Sequence, residues 1–247
     1  MNLQSVIDKK KEAAEYMVSE ITHICKDFEK RDPGSKGEQQ ACEYMADVLK
    51  NECGCERADV ESFKENPGSF FGWIYFTITF VLAAVAISFF YPLVSIILIV
   101  VGLLIVFMQF GLYKKFIDRF FPEKTGHNVT AVKSCKGEVK RRIIFSGHSD
   151  SANEWRFTYY GGSKLLVPII GLSFVGILLG LVLNIWAIAA GHGFSIAEDG
   201  ALNILRYVFL AWIPILFVAL FFENKKRPVM GANDNLTGCF ISMAVVK

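Results

Sequence analysis

From Phe70 to Tyr113 the chain carries no Lys, Arg, Asp or Glu, and that run constrains the fold more than anything else in the sequence. It is long enough for two membrane-spanning helices of about 20 residues each, with Tyr91-Pro92 as the turn between them. A second apolar pair runs from about Leu165 to Ala190 and from about Ile204 to Phe222, separated by Gly191 to Gly200. Buried core helices of a soluble protein rarely run so far without a polar face. The chain is 53% hydrophobic with 22 Phe, too apolar for an ordinary soluble domain. Trp73, Tyr91, Tyr113, Tyr207 and Trp212 fall near the expected interfaces, where amphipathic rings are favoured. Gly176 and Gly180 read as a small-residue helix contact. Pro168 and Pro214 read as bends. The spans read as free of ionisable residues at mid-depth, which argues against a transport pathway.

Removing the two hairpins leaves three soluble pieces, so the organisation is 1–69, hairpin 70–113, 114–164, hairpin 165–222 and 223–247. Each hairpin would enter and leave on one side of the bilayer, which lets the three pieces pack as one α/β domain. Residues 4 to 29 place Val6, Ala13, Tyr16, Met17, Ile21, Ile24 and Phe28 at helical spacing. Ser35 followed by Glu38 is a capping box opening a second helix that ends near Asn51. Arg57 to Phe63 and Asn128 to Lys133 alternate like short strands, and Lys136-Gly137-Glu138 is a turn into a further strand at 139–146.

That last strand would carry His148 and Asp150 to the rim of a sheet, where open α/β folds place their chemistry. Asp234 would arrive from the turn Gly231-Ala232-Asn233-Asp234-Asn235. An imidazole and a carboxylate are zinc donors, and a second carboxylate two residues from the histidine can hold its other ring nitrogen. His-x-Asp alone is common by chance and equally reads as a surface or capping pair. His23 and His127 read as structural, and His192 falls on the far-side loop. Cys239 reads as a small packing residue.

Taken in order, Arg31-Asp32-Pro33-Gly34-Ser35-Lys36-Gly37-Glu38, Gly126-His127-Asn128-Val129, His148-Ser149-Asp150 and Gly231 to Gly238 resemble the M28 family of zinc peptidases, mostly aminopeptidases. The resemblance implies a zinc-peptidase-like mixed sheet with flanking helices, here interrupted by two transmembrane hairpins of four spans in all. It implies two zinc ions, with His148 a terminal ligand, Asp150 its orienting partner and Asp234 a bridging carboxylate followed by a cis peptide. Such peptidases take their general base and further ligands from acidic and histidine residues downstream. Asn235 to Lys247 contains none, so the chain reads as the amino-terminal portion of such a protein. The implied activity is hydrolysis of a peptide substrate by a zinc-activated water. A non-catalytic membrane receptor or scaffold retaining the fold is the alternative.

A net charge of +2 is too small for a nucleic-acid partner. Lys114, Lys115, Arg119, Lys124, Arg156, Lys164, Lys225, Lys226 and Arg227 flank the hairpins on one side, while the opposite loops carry Glu198 and Asp199. The positive-inside rule then predicts a multi-pass protein of the cell membrane with its soluble domain in the cytoplasm and lipid as a partner. There the six cysteines stay reduced.

Overall fold

A computed structural model describes residues 3–192 and 200–247; Glu198 and Asp199 lie outside the described residues. The chain divides into two compact units. The first comprises Met1–Pro67, Glu123–Glu154 and Lys225–Lys247, the second Gly68–Pro122 and Trp155–Asn224.

In the first unit the expected amino-terminal helix forms in two pieces, α1 (Leu3–Asp8) and α2 (Lys10–Asp27), and α3 follows over Lys36–Asn51. Ser35 caps α3 by accepting the Glu38 amide at 3.2 Å. The Glu38 carboxylate reaches back to the Gly34 amide at 2.7 Å, so two amides at the helix start are satisfied reciprocally. Strands β1 (Arg57–Glu65) and β2 (Lys124–Val132) pair antiparallel from Arg57 opposite Val132 to Glu65 opposite Lys124. The closing helix α10 (Thr237–Val246) packs against α2. Ile24, Cys42, Met45 and Val48 from the amino-terminal helices meet Leu236, Phe240 and Met243 in one buried core.

The expected mixed sheet is not formed. The described residues hold two two-stranded sheets, β1 with β2 and a short β3 (Asn153–Trp155) with β4 (Glu223–Pro228). Residues 133–152 have no regular structure, so neither the turn at Lys136 to Glu138 nor the strand at 139–146 exists. A strand is sustained by its ladder, and β2 gives its ladder to β1. No sheet covers Ile143 and Ile144, which stand 74% and 89% exposed.

In the second unit α4 (Trp73–Ile87) and α5 (Pro92–Val106) form a helical hairpin. Pro92 opens α5 within its first turn, where its missing N–H costs nothing. Two short hydrogen bonds lock the pair: Thr77 Oγ1 to the Gly102 carbonyl at 3.0 Å and Ser95 Oγ to the Ala84 carbonyl at 2.8 Å. After α6 (Arg156–Gly161) comes α7 (Ser163–Ala189), about 40 Å long at 1.5 Å per residue. Then α8 (Gly200–Phe209) and α9 (Ile213–Ala219) are joined by a tighter turn at Leu210–Trp212, with Pro214 in the first turn of α9. Four helical stretches are long and apolar enough to cross a membrane: Pro67–Ile87, Pro92–Gly111, Ser163–Ala189 and Gly200–Ala219. Leu172, Val175, Leu178, Val182 and Ile185 of α7 are exposed, as side chains in contact with lipid would be. Arg206, in the second turn of α8, is a charged residue inside one of these stretches and is buried.

Candidate metal centre

His148 and Asp150 sit on the irregular 133–152 segment rather than at a strand end, yet the structure brings them to Asp234. The His148 ring is flanked on both nitrogens: Nδ1 is 3.0 Å from Asp150 Oδ1, and Nε2 is 3.2 Å from Asp234 Oδ1. In the tautomer that donates Nδ1–H to Asp150, Nε2 would present a lone pair beside the Asp234 carboxylate, and an imidazole nitrogen and a carboxylate oxygen so placed are the donor types a divalent cation takes. Two donors on one tetrahedral zinc, each at about 2.0–2.1 Å, lie about 3.3 Å apart, which matches the observed separation. The side chains of His148 and Asp234 are half-exposed and exposed, so the pair is open to solvent.

The Asp234–Asn235 peptide is cis, as the resemblance implies. The turn around it begins at Gly231 with φ +60°, a conformation that suits glycine. The turn ends where Asn235 Oδ1 accepts the Gly238 amide at 3.1 Å and caps the start of α10.

What holds the two loops together is a residue that sequence reasoning placed only in a motif. Arg31 is 1% exposed. Its Nε donates to the Ser149 carbonyl at 2.8 Å, and Nη2 donates to the carbonyls of Met230 at 2.9 Å and Gly231 at 3.2 Å. The Arg31 carbonyl in turn accepts the Ser151 amide at 2.7 Å. One guanidinium thus ties the His148 loop to the Asp234 loop. A buried arginine that must pair with carbonyls leaves no periodic signature in a sequence, so this role was not readable there.

Cys239 Sγ donates to the His148 carbonyl at 3.2 Å, and Cys42 Sγ to Ser149 Oγ at 3.3 Å. Burial pushes both thiols up to about 11, so neither is a thiolate nucleophile at neutral pH. All six cysteines are free. Gly147 is needed for close approach: a Cβ there would lie 2.5 Å from the Cys239 amide nitrogen and 2.6 Å from the Gly238 carbonyl carbon. His127 Nδ1 lies 4.0 Å from Glu38. Among the described residues no group of three or more His, Cys, Asp or Glu gathers around one point. His148 and Asp234 therefore fit part of a zinc centre, two donors where a catalytic zinc takes three protein ligands.

No protein-family model, curated protein or solved structure matches this chain.

Proposed function

We propose that the chain belongs to a membrane-anchored, M28-like zinc metallopeptidase of aminopeptidase type, its soluble unit facing the cytoplasm. The observation that carries this reading is the convergence of His148 Nε2 and Asp234 Oδ1 at 3.2 Å with Asp150 on the opposite ring nitrogen. In this reading His148 and Asp234 hold zinc, and Asp150 fixes the imidazole tautomer and its orientation. Bound zinc supplies a water acidic enough to attack at neutral pH and polarises the scissile carbonyl. The protein groups contribute position. Arg31 keeps the two loops in register, and the exposed edge of Asp234 leaves room for a substrate amino terminus. The general base and the remaining ligands are not among Asn235 to Lys247, which hold no Asp, Glu or His.

The test is hydrolysis of aminoacyl substrates, with zinc, by the protein produced from its own gene. Activity that disappears in His148→Ala and Asp234→Asn supports the enzyme. A folded, zinc-loaded protein that is inert on every aminoacyl substrate moves the reading to a membrane receptor or scaffold that keeps the fold.

A further inference from the structure

Arg206 is a buried charge in the helical unit that the peptidase reading leaves unexplained. It is 2% exposed, and none of its three guanidinium nitrogens has a hydrogen-bond partner among the described residues. Leu202 and Phe209, a turn to either side on the same face of α8, are packed with Val85, Leu183 and Ala187. Arg206 therefore points among the helices rather than out to lipid. Its neighbour is the Phe89 ring, 5.9 Å from the guanidinium carbon and at the limit of cation–π reach. A guanidinium does not shed its proton in a protein, so the buried charge is met only by a counter-ion.

A second orphan stands at the same depth. The Asn184 amide donates to the Gly180 carbonyl at 2.7 Å, and its buried Oδ1 has no partner among the described residues. A Cβ on Gly176 would meet the Trp212 ring at 2.3 Å, and one on Gly180 the Phe209 ring at 2.9 Å. The two spans thus run antiparallel, and one turn beyond Gly180 on α7 faces one turn before Phe209 on α8. That register sets Asn184 level with Arg206. A buried cationic fork and a buried acceptor, both unsatisfied, share one layer of the bundle.

We propose that Arg206 anchors a binding site for a phosphate oxyanion within the membrane-spanning unit, and that Asn184 Oδ1 accepts from a hydroxyl or ammonium donor on the same ligand. The inference rests on the membrane reading of these helices. The guanidinium fork matches two phosphate oxygens. Arg206 lies six residues into α8, about 9 Å along its axis from Gly200. It is also beside Phe89, in the turn between α4 and α5. On the membrane reading, Phe89 lies between the spans that end at Ile87 and begin at Pro92, which sets Arg206 toward the headgroup end of the bundle rather than at its centre. A headgroup with phosphate and a donor, as in phosphatidylglycerol or phosphatidylethanolamine, satisfies both orphans. Phosphatidylcholine satisfies Arg206 alone. A soluble phosphate ester is the other source of the same chemistry.

The experiment melts the full chain in a neutral maltoside detergent while titrating phosphatidylglycerol, phosphatidylcholine, uncharged diacylglycerol, glycerol phosphate or inorganic phosphate. Carbonate washing of membranes tests the membrane placement separately. We expect a saturable rise in Tm with phosphatidylglycerol, a smaller one with phosphatidylcholine and none with diacylglycerol. Arg206→Gln should need about tenfold or more lipid for the same effect. It should be at least as stable as the wild type without lipid, because an unpaired buried charge is gone. Asn184→Ala should erase the preference for phosphatidylglycerol over phosphatidylcholine. A rise with glycerol phosphate and not with lipid assigns the site to a soluble ester. Equal responses of wild type and Arg206→Gln overturn the proposal. So do equal responses of the wild type to phosphatidylglycerol and diacylglycerol, a comparison that needs no variant.

Discussion

Arg31 donates its guanidinium Nε to the Ser149 carbonyl at 2.8 Å, and its own carbonyl accepts the amide of Ser151, two residues further on, at 2.7 Å. The same guanidinium also takes the carbonyls of Met230 and Gly231. Removing it orphans the Ser149 carbonyl, at about 1–3 kcal/mol if left buried and unpaired, and leaves the Gly231 carbonyl with the Leu236 amide and the Met230 carbonyl with the Cys25 thiol alone. Arg31→Met should therefore destabilise the first unit by about 1–3 kcal/mol. Arg31→Lys should recover only part of that, since an ammonium cannot fork across two loops. Labelling of the buried thiols Cys42 and Cys239 against urea reads this unit specifically, because all four tryptophans lie in the other one.

Gly147→Ala drives a methyl into the backbone at the start of α10. With contacts of 2.5 and 2.6 Å to backbone atoms, the His148 loop has to move, at a cost of about 1–3 kcal/mol. The expected result is earlier thiol exposure in urea together with loss of His148-dependent zinc binding.

Zinc titration of the 247-residue chain should show weak binding that His148→Ala or Asp234→Asn weakens further, since two first-contact donors fall short of the three or four of known zinc sites. Tight stoichiometric binding, unaffected by either variant, would place the metal elsewhere.

Glu38 gives the first unit a pH dependence of defined sign. Burial lifts its carboxyl above the usual 4.5, an effect only partly countered by its hydrogen bonds from the Gly34 and His127 amides, with Asp150 and Asp32 adding repulsion. The folded state then holds a proton that the unfolded state has released, so stability falls as pH rises from about 4.5 through the raised value, and levels off above it. Glu38→Gln should flatten this slope in acid urea titrations followed by thiol labelling. Glu65, also raised by burial, remains in both proteins, so their difference isolates Glu38.

The proposed sidedness has a built-in probe in Cys135, an exposed thiol of the soluble unit. An impermeant thiol reagent should miss Cys135 on intact cells and reach it after permeabilisation. His192→Cys, at the end of α7, should react on intact cells. The reverse pattern would place the soluble unit outside.

The long-range chemistry of the chain was legible to different degrees. Uncharged runs announced the helical spans, because no polar face interrupts Phe70 to Tyr113. Ser35 and Glu38 announced α3, since a cap is a local hydrogen bond between near neighbours. His148 and Asp234 could be paired through the order of their motifs along the chain, although the strand expected beneath His148 is absent. That strand failed because pairing is a property of two segments: Ile143 and Ile144 alternate in a strand-like context but have no ladder partner. Arg31 and Arg206 escaped for a related reason. Both are charged residues whose meaning lies in what surrounds them, carbonyls in one case and no partner at all in the other.

The pairing of β1 with β2 across the first hairpin also dictates an order of manufacture. Glu65 leaves the ribosome well before its partner Lys124. At about 5–20 residues per second, the interval is about 3–12 s. During that time β1 has no partner strand, and the apolar helices of the first hairpin must be delivered to the bilayer. Leu236, Phe240 and Met243, which close the core on Ile24 and Met45, emerge only after the second hairpin as well. The unit built from these three segments is thus the last part of the protein to become protease-resistant, and a stall in membrane delivery exposes its amino-terminal helices to degradation first.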